Sequence, residues 1–188
     1  MVSPERETML TTDSNQPYHL CLMRHGIAAG IEEAAGDDSR RPLTPEGRTK
    51  MKEIARGLER LGVTFEGILA SPLIRAMETA EIVARTIGGN ERAEVCEGLA
   101  PHGSLEAVLA SLQKHPGWRR FLLVGHEPSL SDLAARWVGA GQHASLAFKK
   151  GGCCLIEFEN LGVKSTGELV WWLTPKILRK LGSGKSVS

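Results

Sequence analysis

Residues 19–26 read His-Leu-Cys-Leu-Met-Arg-His-Gly. Four successive apolar residues, Leu20 to Met23, do not alternate with polar ones, and the run stops abruptly at Arg24-His25-Gly26. A strand that is apolar on consecutive residues is buried on both faces, the situation of a parallel sheet covered by helices on each side. The following segments fit that setting. Thr44-Pro45-Glu46 supplies an N-cap hydroxyl, a proline at the first helical position and an acid at the positive dipole end. Met51, Ile54, Leu58 and Leu61 then hold one helical face, and Gly62 ends the run. The stretch between, 27–41, reads as a loop.

The alternation continues to the C-terminus. A short strand is expected over 67–70 and a helix over 73–87, capped by Ser71-Pro72, carrying Ala76, Ala80, Val83 and Ile87 inward, and stopped by Gly88-Gly89. A weak strand over 93–96, a helix over 104–115, a doubly buried strand over 121–124 and a helix over 129–138 follow. Strands over 146–148, 154–158 and 169–173 and a basic helix over 175–181 close the chain. Strands alternating with helices of this length predict one three-layer α/β/α domain over 18–182, with a mainly parallel, mixed sheet and an antiparallel edge. Residues 1–17 read as a flexible lead-in, in which Met9 offers an alternative start, and 183–188 as a tail.

Composition narrows the functional classes. The chain has 188 residues, enough for one domain that buries its core without disulfides. Its 23 Lys+Arg against 22 Asp+Glu leave a formal net charge of +1, which gives no whole-molecule attraction to nucleic acid or anionic membrane. No uncharged apolar run approaches the roughly eighteen residues needed to cross a bilayer, and 1–19 lacks the apolar segment of a signal peptide. The four cysteines, Cys21, Cys96 and the adjacent Cys153-Cys154, form no metal or redox spacing, so they read as buried or half-buried thiols of a cytoplasmic protein.

In open α/β sheets, ligands bind beyond the carboxyl ends of the strands. Three such ends carry Arg24-His25-Gly26, Ser71-Pro72-Leu73-Ile74-Arg75 and Gly125-His126-Glu127-Pro128. Arginine forks match phosphate oxygens, imidazole serves as nucleophile or charge stabiliser, and helix starts favour anions. A phosphoryl group is the small ligand that suits this set. Arg75 in particular is a cation near a helix start, an unfavourable place unless an anion sits there.

The segments LMRHG at 22–26, SPLIRAMETA at 71–80 and VGHEPSL at 124–130 resemble the signatures of the histidine phosphatase superfamily. The RPLTPEG segment at 41–47 and the short length resemble its compact phosphohistidine phosphatase, SixA-like branch. The resemblance spans about 18–175. It implies that His25 is a nucleophile forming a phosphohistidine, that Arg24 and Arg75 hold the phosphate oxygens, and that His126 stabilises the transferring group. No cofactor or metal is implied, since arginines and a histidine supply the positive charge. The leaving-group acid of many members lies in a longer inserted segment. Here 94–104 is short, with Glu97 the positional candidate and Glu127 a remote second choice. The run after RHG, IAAGIEEAAG, departs from that of the mutase members and disfavours mutase activity. A weak acid suits an imidazole leaving group, whose conjugate acid has a pKa near ~6.5. A phosphorylated protein, such as a phosphotransfer domain, is therefore the expected partner. A small phosphate ester, or phosphate binding without turnover, are the alternatives.

The remaining polar residues read as structural. His19, His115 and His143 sit at element ends, His102 in a turn that could rim the pocket. Arg40-Arg41, Glu32-Glu33 and Asp37-Asp38 read as solvated loop charges, and Trp171-Trp172 as one core and one edge-strand aromatic.

Overall fold

The computed structural model describes residues 16–87, 92–140 and 146–184. Its centre is β1 (Tyr18–Arg24), in which Leu20 to Met23 are fully buried. Parallel to it lies β4 (Arg120–Gly125), and antiparallel on its other side β5 (Cys153–Phe158). With β2 (Gly67–Ala70), β3 (Glu94–Val95) and β6 (Glu168–Leu173) they form one six-stranded sheet in the order β3-β2-β4-β1-β5-β6. The antiparallel part is thus not just an edge. β5 runs against β1, and β6 pairs antiparallel with β5.

Successive residues of each central strand enter opposite cores. Leu20, Leu22, Phe121, Leu123 and Ile156 pack with α3 (Leu105–Leu112) and α4 (Ser129–Trp137). Cys21, Met23, Leu122, Val124 and Cys153 pack with α1 (Pro45–Arg60), α2 (Ile74–Ile87) and α5 (Pro175–Gly182). Two cores on one sheet make the expected three layers. The Thr44 hydroxyl caps α1 by accepting the Gly47 N–H, as its sequence signature predicts. All four cysteines are buried and free, and no helix of the described residues is long and apolar enough to cross a membrane.

Two local expectations fail. No strand forms over 146–148, because side chains take both backbone groups of Phe148: its N–H donates to Glu127 and its carbonyl accepts from Arg24. The stretch 27–41 is not featureless loop. It holds single 3-10 turns at Glu32–Ala34 and Asp38–Arg40 and a bridge between Ala28 and Leu43. Residues 1–15 and 185–188, most of the expected lead-in and tail, lie outside the described residues, as do Gly88-Gly89 and His143.

Register places the site. Arg24 stands opposite Gly125, and Ala70 opposite Val124, so β1, β4 and β2 end at one level. The ladder runs one step further, with the His25 N–H on the Gly125 carbonyl (3.1 Å) and the Ser71 N–H on the Val124 carbonyl (3.0 Å). Helices α1 and α5 both begin beside that end and pack against each other along their length. Their crossing is tight: a Cβ on Gly57 would strike the Leu178 carbonyl oxygen, and one on Gly182 the Glu53 carbonyl oxygen. Helix propensity alone favours Gly57→Ala by about 1 kcal/mol. Overpacking against rigid backbone costs about 1–3 kcal/mol and more where nothing can yield. Gly57→Ala is therefore expected to lower the unfolding free energy by about 2 kcal/mol in urea titration, against the propensity scale.

Candidate active site

Four of the five nominated residues meet at the level end of β1, β2 and β4. His25 and His126 follow the last residues of β1 and β4, and their rings lie 4.9 Å apart, centroid to centroid, at 51°. Arg75 lies in the first turn of α2 and is 5% exposed. Arg24 ends β1. Its Nη1 donates to the Phe148 carbonyl at 2.8 Å, and its buried Nε has no partner among the described residues.

The state of His25 follows from one contact. Its Nδ1 lies 2.7 Å from the Gly26 carbonyl oxygen. A carbonyl can only accept, so Nδ1 carries the hydrogen and, in the neutral ring, Nε2 keeps the lone pair. The Gly26 peptide is itself held, its N–H donating to Thr79 Oγ1 (3.0 Å), whose hydroxyl donates to the Arg75 carbonyl (2.7 Å). Burial pushes the His25 pKa down to about 3; the Gly26 carbonyl opposes this, and His126, Arg75 and Arg24 add to it. Burial likewise lowers His126 to about 4, with Arg75 and Arg24 acting in the same direction and Asp38 against them. Both rings are neutral at pH 7, and the permanent positive charge comes from the arginines.

His126 is fixed from its far side. Its Nε2 pairs with Ser71 Oγ at 2.8 Å, leaving Nδ1, buried and unpartnered among the described residues, as the ring nitrogen available to a ligand. Such buried unpaired groups are rare enough to need a reason. Here two of them, Arg24 Nε and His126 Nδ1, belong to one group of basic side chains.

Glu97 lies apart. It is exposed in a single 3-10 turn and does not line the cavity of about 350 Å³ that opens beside His126, although its neighbours Gly98 and Leu99 do. Glu127 is engaged on both oxygens, accepting the Phe148 N–H (3.0 Å) and the Ser131 hydroxyl (2.6 Å). Because the Phe148 carbonyl accepts from Arg24, Glu127 braces the residue that holds an arginine.

Four residues were missed by sequence reasoning. Asp38 is exposed, as a loop charge would be, but it also holds Arg75: its carbonyl and Oδ2 accept from Arg75 Nη1 and Nη2 at 2.6 and 2.8 Å. Arg41 is not free either, since it donates to Asp38 Oδ1 (2.8 Å) and to the Ala29 carbonyl (2.7 Å). A guanidinium has five N–H donors, so Arg75 keeps three beyond Asp38. Ser71 and Thr79 read as a helix cap and a helix interior position, yet they orient His126 and Gly26. Only the Ser-Pro after a strand hinted at Ser71. His102 occupies a left-handed turn (φ 65°) and also lines the cavity beside His126. His115 is not exposed but stacks on Trp118 and pairs with Glu94, and His19 pairs with Glu157. Trp171 and Trp172 are both half-buried, on opposite faces of β6.

The low histidine pKa values set a pH dependence. Between about pH 4 and 6.5 the unfolded chain binds protons on these imidazoles that the folded site does not, so stability rises with pH through this window and falls on acidification. One such proton contributes a slope of about 1.4 kcal/mol per pH unit. His25→Asn is expected to flatten the unfolding free energy between pH 6 and 4.5 by about one proton's worth. An unchanged slope in denaturant titrations at several pH values would show that His25 is protonated in the folded protein.

Known proteins share this sequence and fold. Residues 20–101 match the model of the histidine phosphatase superfamily (branch 1). The chain is 44% identical over 140 residues to an uncharacterized protein of Picosynechococcus, covering 71% of this chain and 81% of the relative. It is 36% identical over 116 residues to the phosphohistidine phosphatase SixA of Escherichia coli, covering 61% of this chain and 70% of that one. Among solved structures, a protein histidine phosphatase SixA complexed with tungstate superposes with a TM-score of 0.72 at 30% identity, over 85% of this chain and 99% of that chain. A phosphoglycerate mutase from Bacillus anthracis shares the fold alone, with a TM-score of 0.66 at 14% identity over 90% of this chain and 98% of that one. The chain belongs to the histidine phosphatase superfamily and is a SixA-like phosphatase.

Proposed function

We propose that this phosphatase cleaves phosphohistidine in a protein, in two transfers through His25. The observation that carries the proposal is the Nδ1–H bond of His25 to the Gly26 carbonyl, which leaves a neutral ring with its Nε2 lone pair beside two arginines. That lone pair attacks phosphorus, the P–N bond to the substrate imidazole breaks, and the departing ring takes a proton from solvent. Water then attacks the phosphoryl group on His25, releasing inorganic phosphate and restoring the neutral ring. The transition state spreads charge over three equatorial oxygens. Arg24, the three remaining donors of Arg75 and His126 Nδ1 are the groups that would clamp them.

An imidazole leaving group is favoured by the state of the two carboxylates that could protonate an alkoxide. Glu97 lies outside the cavity lining, and both oxygens of Glu127 are committed to Phe148 and Ser131. Imidazole departs without such help because its conjugate acid has a pKa near ~6.5. The 36% identity to a protein named for phosphohistidine cleavage supports the same choice. Four reduced, buried thiols suit a cytoplasmic enzyme.

Turnover of a histidine-phosphorylated phosphotransfer domain is expected to exceed that of p-nitrophenyl phosphate by orders of magnitude and to survive chelators. Equal rates on both would favour the small-molecule alternative, and vanadate binding without turnover of either would favour a non-catalytic module. His25→Ala is expected to abolish turnover while circular dichroism stays unchanged. Arg75→Ala is expected to weaken vanadate inhibition by about 2–3 kcal/mol, the scale of a charge-assisted pair of contacts.

A further inference from the structure

A second cavity, of about 440 Å³, opens on the α1 and α5 side and is not used by the chemistry above. Its floor is aliphatic, made by Ile27, Met51, Ile54 and Pro175. Among the described residues six basic ones line it, Arg24, Lys50, Lys149, Lys150, Lys176 and Arg179, and no carboxylate does. Lys50 and Arg179 are neutralised from outside, by Glu46 and Glu53. Lys149, Lys150 and Lys176 are exposed and have no ion-pair partner among the described residues. A chain with a net charge of +1 therefore concentrates uncompensated positive charge at one place.

That place adjoins the reacting group. The cavity shares Arg24 and Gly26 with the active site, and its other walls come from the starts of α1 and α5 and the turn before β5, all at the end of the sheet where β1 stops. The cavity on the opposite flank, beside His126, has Glu106 and Asp132 in its wall against Arg136. The two flanks thus differ in sign, and a substrate with an acidic side can lie across the site in only one direction. The floor decides what kind of anion fits. It has no aromatic ring on which a nucleobase could stack, and an aliphatic floor under a lysine rim matches an apolar side chain bordered by carboxylates.

We infer that the Lys149–Lys150–Lys176 cavity docks an acidic segment of the phosphoprotein substrate, carboxylates on the lysines and an aliphatic side chain on the Ile27–Met51–Ile54–Pro175 floor. The inference rests on the phosphohistidine reading of the site and adds to it a recognition element outside the phosphoryl pocket. Exposed lysines act through long-range, salt-screened attraction, so docking lowers KM and leaves kcat alone.

The test uses two synthetic peptides that share one phosphohistidine, flanked by a leucine and several glutamates in one and by a leucine and glutamines in the other. The wild-type protein is expected to show about tenfold higher kcat/KM on the acidic peptide at low salt, carried by KM and shrinking as salt is added. In K149E/K150E/K176E the preference should vanish or invert, while turnover of the glutamine peptide, which reports an intact active site, stays at the wild-type level. Should that variant lose turnover of the glutamine peptide as well, K149Q/K150Q/K176Q and the salt titration of the wild type carry the same test. Equal use of both peptides by the wild type, or a preference that survives salt and the substitutions, overturns the docking site alone. Failure to cleave either peptide while a phosphomonoester is hydrolysed overturns the phosphohistidine reading, and the docking site with it.

Discussion

The hydrogen bond from the His25 N–H to the Gly125 carbonyl extends the pairing of β1 with β4 by one step, and the site depends on it. It requires the two strands to be parallel and to end together, so that each delivers a histidine at the same height. A register slip of one residue would also turn alternate side chains into the wrong core. Leu20 and Leu22 belong to the α3–α4 side, Cys21 and Met23 to the α1–α2–α5 side, and neither set can exchange without exposing or overfilling a layer. Hydrophobic burial along β1 thus sets the position of an imidazole ring that is itself polar.

At this end the fold gathers four basic side chains, and the electrostatics decide which carry charge. Burial holds both imidazoles neutral, which leaves His25 a lone pair on Nε2 and makes the arginines the cations. Neither arginine is left loose. Arg75 is held by Asp38, which is held by Arg41, and Arg24 is held by the carbonyl of Phe148, whose N–H donates to Glu127. In each case a partner fixes the guanidinium and leaves donors over. Preorganised donors of this kind need no rearrangement as charge develops on a phosphoryl group.

Much of this was legible in the sequence because it is local. Non-alternating apolar runs mark β1 and β4, the Thr44-Pro45 cap marks α1, and the basic residues follow directly on strand ends. What escaped was joined over distance. Asp38 and Arg75 are 37 positions apart, Ser71 and His126 55, and no periodicity links either pair. Phe148 looked like strand because Leu146 and Ala147 before it are apolar, but two side chains claim its backbone before any strand can. Lys149, Lys150 and Lys176 were likewise unremarkable until the turn before β5 and the start of α5 met beside Arg24.

The central claim is that His25, neutral and anchored through Nδ1, receives the phosphoryl group on Nε2. Rapid mixing with a phosphohistidine substrate, an alkaline quench, and phosphorus NMR with fragmentation mass spectrometry would locate that group by residue and by ring nitrogen. The expected result is a single phosphoenzyme, phosphorylated on Nε2 of His25. Phosphorylation on Nδ1 of His25, phosphorylation of His126, or turnover with no phosphoenzyme at all would contradict it.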